Sequence, residues 1–171
     1  QERKYFTAQC SIFNNEGNEK WLHIMQSIIQ KEDMDFSHTG FFDVKLDFSY
    51  LTIEQGNLLF DYAQFFNTEI SFGVIKCGGN ELFSPEISFH SVRGNNVKID
   101  SMVMTQKLSV DFLCAKLENS EVSLDPLPSL FNEICFVRAE MDKVKVTNAE
   151  IDMLDIRIAK IKSLEFERCK F

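Results

Sequence analysis

The strongest constraint on what this chain can fold into is a repeat of five residues. Read in fives, the C-terminal end runs Phe131, Phe136, Met141, Val146, Ile151, Ile156, Ile161, Phe166, Phe171, and all nine positions are large and apolar. Two residues before each lie Ser129, Ile134, Ala139, Val144, Ala149, Leu154, Ala159, Leu164 and Cys169, all but the first apolar. The other three positions of each five are mostly polar. A period of five matches neither the 3.6 of a helix nor the 2.0 of a continuous strand. It fits a chain that turns a corner every five residues and sends two side chains inward each time.

The pattern extends backwards with changes of phase. Leu82, Ile87, Val92, Val97, Met102, Lys107, Phe112, Leu117, Val122 and Leu127 form one run; Phe60, Phe65, Ile70 and Ile75 another; Phe36, Phe41, Leu46 and Leu51 a third. The slips fall near 54–57, 77–81 and 125–129, at Gln55-Gly56-Asn57, Cys77-Gly78-Gly79-Asn80 and Asp125-Pro126-Leu127-Pro128, where turn residues absorb a change of register. If four fives close one coil, residue n lies over n+20. At that spacing Glu140 meets Lys160, Asp142 meets Lys162, Lys145 meets Glu165 and Glu150 meets Lys170, all of opposite sign.

These residues resemble a divergent pentapeptide repeat, whose unit is roughly Ala-(Asp/Asn)-Leu-x-x. Matching units include Ala63-Gln64-Phe65, Ala115-Lys116-Leu117, Ala139-Glu140-Met141, Ala149-Glu150-Ile151 and Ala159-Lys160-Ile161. The resemblance spans about residues 34–171. It implies an all-β fold, a right-handed β-helix of quadrilateral coils with the central residue and the small residue two before it pointing inward. This sequence departs from the family in rarely having Asp or Asn before the central residue, which implies distorted coils.

Residues 1–33 do not repeat. Phe6, Ala8, Cys10 and Ile12 alternate with polar residues and read as a strand. From Asn18, Trp21, Ile24, Met25, Ile28 and Ile29 form the apolar stripe of a short α-helix expected to cap the solenoid. The repeat is still in phase at Phe171, so the expectation is either that the protein continues past this point or that another chain covers this coil, as in a homodimer. The chain opens at Gln1 without an initiator methionine, and is expected to be part of a longer protein, a domain of a larger bacterial one in the family's usual setting.

The 171 residues carry 18 Lys+Arg against 26 Asp+Glu, a net charge of −8, and no stretch approaches 18 consecutive apolar residues. An acidic chain of this kind argues against direct binding of nucleic acid or an anionic membrane, and no transmembrane segment is expected. The acidity is uneven: residues 137–171 carry eight basic and seven acidic residues, whereas 1–136 carry ten and nineteen. Five dispersed cysteines, Cys10, Cys77, Cys114, Cys135 and Cys169, form neither a CxxC pair nor a metal-ligand spacing, and read as reduced thiols filling a core. That places the chain in the cytoplasm, or in a host cell if it belongs to a secreted effector, a class that embeds such domains.

Little in the sequence suggests catalysis. His23, His38 and His90 lie near no nucleophile, with His90 in the small inward column, and no phosphate-binding or metalloprotease motif occurs. The carboxylate pairs Asp33/Asp35 and Asp43/Asp47 are the only features reminiscent of a carbohydrate-active β-helix enzyme. The leading expectation is a non-catalytic protein-binding or scaffold module with no cofactor and no metal. Its contacts are expected among aromatics off the inward columns: Phe42, Phe48, Tyr50, Tyr62, Phe66 and Phe72. The alternative implied by the resemblance is an acidic DNA mimic that binds a topoisomerase, as quinolone-resistance pentapeptide proteins do.

Overall fold

The computed structural model describes residues 34–48, 52–53, 56–77, 84–104, 107–125 and 129–171. The strand and helix expected within 1–33 lie outside the described residues. Fourteen strands follow in order: β1 (Met34–Asp35), β2 (Gly40–Phe42), β3 (Lys45–Asp47), β4 (Thr52–Ile53), β5 (Leu58–Leu59), β6 (Gln64–Cys77) and β7 (Glu86–Ser88). Then come β8 (Arg93–Met104), β9 (Leu108–Asp111), β10 (Lys116–Leu124), β11 (Ser129–Cys135), β12 (Glu140–Thr147), β13 (Ala149–Asp155) and β14 (Lys160–Glu167).

Every pairing is parallel, and each strand pairs with the one a full coil away. One wall is the sheet β1-β5-β7-β9-β11-β13; the other carries β14-β12-β10-β8-β6-β2, with β3 and β4 also on β6. The described residues therefore form an all-β parallel solenoid. No helix among the described residues is long and apolar enough to cross a membrane.

Coil length explains the phase slips. Met34 pairs with Leu58, a coil of 24 residues; Leu58 with Ile87, 29; Ile87 with Val110, 23; Val110 with Ile134, 24; and only Ile134 with Leu154 gives 20. A strict twenty-residue coil thus holds from β11 onward, where the five-residue period is cleanest. The longer coils place two extra residues at a bulge that includes Asp43, Asn67, Asn96 or Asn119, with φ of 53°, 48°, 56° and 50°. Asn and Asp tolerate this left-handed conformation better than other side chains. They also bond along the axis: Asn67 Nδ2 donates to Asp43 Oδ1 and Asn96 Nδ2 to Asn67 Oδ1, both at 2.8 Å. After the bulge the chain runs as an ordinary strand with alternate residues inward: Val44, Leu46 and Phe48 in one coil, Thr68, Ile70 and Phe72 in the next, all buried.

A second left-handed position recurs at His38, Tyr62, Ser91, Cys114, Arg138 and Ile158. Each is the third residue of a four-residue turn closed by a backbone hydrogen bond, such as Ala63 N to Phe60 O at 2.9 Å and Ala115 N to Phe112 O at 3.0 Å. The residue closing each turn is Thr39, Ala63, Val92, Ala115, Ala139 or Ala159, the small column; the residue opening it is Phe36, Phe60, Phe89, Phe112, Phe136 or Ile156.

That opening column is the spine of the core. Phe36, Phe60, Phe89, Phe112 and Phe136 stack nearly parallel, with centroids 5.3, 5.1, 4.9 and 5.4 Å apart. Strands about 4.8 Å apart hold flat rings at close to stacking distance, so a phenylalanine repeated once per coil packs on itself. Phe41 on Phe65 (5.2 Å) and Phe48 on Phe72 (5.6 Å) make two shorter stacks.

The register corrects two sequence readings. In the coil of β7 and β8, Phe89 and not Ile87 aligns with Phe112, and Val92 occupies the small column beside Ala63 and Ala115. His90 accordingly sits at the corner and not in the small inward column. Gly94 stands where neighbouring coils hold Phe65 and Leu117; a Cβ there would lie 2.6 Å from Val97 Cγ2 and 2.9 Å from Leu117 Cδ2. At the C-terminal end the inward columns are less covered: Ile156 is 46% and Phe171 75% exposed.

Candidate partner-binding face

The wall that follows the corner carries β2 and the first residues of β6, β8, β10, β12 and β14. Its central residues, Phe41, Phe65, Gly94, Leu117, Met141 and Ile161, point inward, and those on either side point out. One outward row is Phe42, Phe66, Asn95, Glu118, Asp142, Lys162; the other is Gly40, Gln64, Arg93, Lys116, Glu140, Lys160.

Phe42 and Phe66 are register neighbours on adjacent strands and are 50% and 46% exposed. Phe42 folds back over Gly40, whose missing Cβ would sit 2.6 Å from its Cε2. Tyr62, 50% exposed, stands at the corner where β6 begins. The His38 ring stacks on it at 5.1 Å and 3°, and His90 leans against it at 5.4 Å and 38°. Two coils thus present an aromatic corner and an aromatic pair on the same wall.

Of the aromatics expected to make contacts, Phe42, Phe66 and Tyr62 are exposed as the reading requires. Phe48 and Phe72 are not: they are buried at 2% and 0% and stacked on one another. The five-residue count put them off the inward columns, but the strand after the Asx bulge sends every second residue inward, so both are core. Tyr50 lies outside the described residues. His38, His90 and Arg93 were missed as neighbours of this site. The signal was available in the 24 residues between the turn residues His38 and Tyr62, the same as between Gly40 and Gln64.

Beyond Tyr62 the corner residues become small, Ser91 then Cys114. They leave a groove of about 360 Å³ lined by Tyr62, Gln64, Ser91, Arg93, Cys114 and Lys116. A second, more open groove of about 490 Å³ lies further along the wall, among Glu118, Glu140, Asp142, Lys160 and Lys162. Most of its charges are paired: Glu140 lies 3.4 Å from Lys116 and 3.5 Å from Lys160, and Asp142 lies 2.6 Å from Lys162. The two ammonium groups hold the Glu140 carboxyl below its usual range, Lys116 contributing more, and Lys162 does the same for Asp142.

Charge pairing runs along the solenoid on the wall after the bulge as well. Lys45, Glu69, Lys98, Glu121 and Lys143 are successive register partners and alternate in sign. Lys45–Glu69 is 3.4 Å and Glu121–Lys143 is 2.8 Å. In the last two coils, Glu140–Lys160 and Asp142–Lys162 pair as the spacing of twenty predicts, while Lys145 reaches Glu167 (3.2 Å) although its backbone partner is Glu165.

The opposite wall gathers acids. Glu86 is pushed above the ordinary carboxylate range by burial, and then by Asp111, Asp61 and Glu133. Asp61 accepts a hydrogen bond from the Ser88 hydroxyl, and Asp111 caps the Leu113 amide at 2.8 Å. Among the described residues no group of three or more His, Cys, Asp or Glu is placed to hold a metal ion. Of the expected carboxylate pairs, Asp35 caps the Ser37 amide and Asp43 accepts from Asn67, while Asp33 lies outside the described residues. Cys114, Cys135 and Cys169 are free thiols at half-buried positions, less buried than core fillers; burial pushes the Cys135 thiol up to about 12, with Asp111 adding to the effect.

No protein-family model, curated protein or solved structure matches this chain.

Proposed function

We propose that this chain is a non-catalytic protein-binding module, a pentapeptide-repeat-like β-solenoid whose contact surface is the aromatic edge of Tyr62, Phe42 and Phe66. The observation that carries the reading is the concentration of three large exposed rings on two adjacent coils of one wall, in a molecule whose other described phenylalanines, apart from Phe166 and Phe171 in the last coil, are buried. Exposed rings grouped on a rigid scaffold lose little conformational entropy on binding and supply much of an interface's energy.

The charge arrangement supports this reading over a DNA mimic. Mimicry needs unpaired acidic columns along the axis, whereas on this side the column Lys45, Glu69, Lys98, Glu121, Lys143 alternates in sign and the row through Arg93 and Lys116 is mainly basic. The test is a pull-down with the whole chain and with Phe42→Ser, Phe66→Ser and Tyr62→Ser combined, foldedness being checked by circular dichroism. Loss of a specific partner from the folded triple variant is expected. Retention of every partner would remove the aromatic edge from consideration, and competition by duplex DNA would return the mimic to first place.

A further inference from the structure

We infer that the partner of this edge presents a short acidic segment carrying an aromatic side chain, with its carboxylates on Arg93 and Lys116 and its ring over Ser91, beside Tyr62 and His90. The inference rests on the protein-binding reading above and names the chemistry of the partner.

Three observations converge on the groove beyond Tyr62. The first is its shape. The corner column begins as His38 then Tyr62, two nearly parallel rings 5.1 Å apart. The next positions are Ser91 and Cys114, too small to continue the stack, and on that side Tyr62 meets only the tilted His90 ring. The groove of about 360 Å³ opens at this break. A flat side chain laid over Ser91 would pack beside the Tyr62 and His90 rings, which stand 5.4 Å apart.

The second is charge. The groove is lined by Arg93 and Lys116 and by no carboxylate. Cations elsewhere on this side of the solenoid are matched: Lys45, Lys98, Lys143 and Lys162 each have an acid within 4.0 Å. Arg93 has no ion pair among the described residues, and neither does Arg138, one coil beyond Cys114 in the corner column. Lys116 has Glu140, but shares it with Lys160. Arg93, Lys116, Arg138 and Lys160 against Glu140 and the neighbouring Glu118 leave a local surplus of positive charge in a chain of net −8. At physiological salt the distant acids are screened over about 8 Å, so an approaching carboxylate responds mainly to these neighbours.

The third is donor chemistry. An arginine fork offers paired N–H donors to a carboxylate, and the Ser91 hydroxyl and Gln64 amide stand beside it in the lining. Phe42 and Phe66 on the same wall then receive the apolar remainder of the segment.

The test titrates the isotope-labelled full chain with three synthetic peptides, Glu-Glu-Tyr-Glu-Glu, Lys-Lys-Tyr-Lys-Lys and Glu-Glu-Ala-Glu-Glu, following amide shifts. The first is expected to move the amides of Tyr62, Ser91 and Cys114. Its affinity should fall at least about fivefold on Arg93→Glu, and by a similar factor when the tyrosine becomes alanine. Arg93→Gln should give an intermediate loss. Equal or tighter binding of the lysine peptide, or unchanged affinity in Arg93→Glu, would overturn the inference. If the acidic peptide fails while the Phe42, Phe66 and Tyr62 variants still lose a natural partner, the partner chemistry is wrong and the protein-binding reading stands. If the partner survives those variants, that reading falls, and the titration still decides what the groove takes.

Discussion

Replacing Phe89 by alanine should be the most damaging single change in the core. Phe89 is fully buried, lies between Phe60 at 5.1 Å and Phe112 at 4.9 Å, and meets Phe72 edge-on at 6.3 Å. Removing a buried phenylalanine costs about 3–5 kcal/mol through lost transfer energy and a cavity. Each aromatic pair contributes about 0.5–1.5 kcal/mol beyond its area, so two stacked partners place Phe89→Ala near the top of that range. A domain with a total stability of about 5–15 kcal/mol would lose a large share of it. Phe89→Leu keeps most of the volume and should cost about 1–3 kcal/mol, most of it the lost stacking. Guanidinium denaturation followed by circular dichroism reads both, and the double variant with Phe112→Leu isolates the stack. A coupling of about 0.5–1.5 kcal/mol between the two positions is expected. Additivity within error, or a cost below about 1 kcal/mol for Phe89→Ala, would refute the ladder as a stabilising element and Phe89 as its member.

Other expectations follow from the same register. Gly94→Ala should destabilise the chain by about 1–3 kcal/mol, because its Cβ would meet Val97 and Leu117; Val97→Ala should cost less in that background than in the parent chain, measured by the same denaturation. Ile158 is β-branched, 70% exposed and held at a φ of 61°, so Ile158→Gly should raise stability by about 1 kcal/mol; a lower melting temperature would contradict the turn geometry. Glu121→Lys puts a cation between Lys98 and Lys143 in the alternating row, and should lower the melting temperature at low salt and clearly less at high salt. Asp125 accepts hydrogen bonds from the Thr147 hydroxyl and, at 2.9 Å, from Asn148 Nδ2, which hold its carboxyl below the ordinary range. A depressed folded-state value stabilises above the unfolded value and is lost as pH falls through the folded one. Asp125→Ala should therefore cost about 1–2 kcal/mol at pH 7, the gap to the parent chain closing in acid.

The repeat is legible where coil length equals four fives, from Phe131 onward, and the ion pairs Glu140–Lys160 and Asp142–Lys162 follow from the same count. Upstream the count blurs for two physical reasons. Both inward residues of the β7 coil, Ile87 and Phe89, are large, so periodicity cannot say which belongs to the spine; that choice is made by stacking on Phe112. The Asx bulge lengthens the following strand and buries a third residue, which is why Phe48 and Phe72 are core and not exposed aromatics. A sequence signal for it exists in Asp43, Asn67, Asn96 and Asn119, each within a strand-like run. Of the candidate site, Phe42, Phe66 and Tyr62 can be found because they sit outside every inward column. His38, His90 and Arg93 join them through coil closure, across separations of 24 and 29 residues that are read from the spacing of the turns and not from the five-residue count.

The most direct measurement is photocrosslinking with a benzophenone side chain placed, one position at a time, at Phe66, Gln64 and, on the opposite wall, Asp152. Capture of one partner from positions 66 and 64, and none from 152, is the expected result. Capture from 152 alone, or equally from all three, would contradict an aromatic edge as the binding surface.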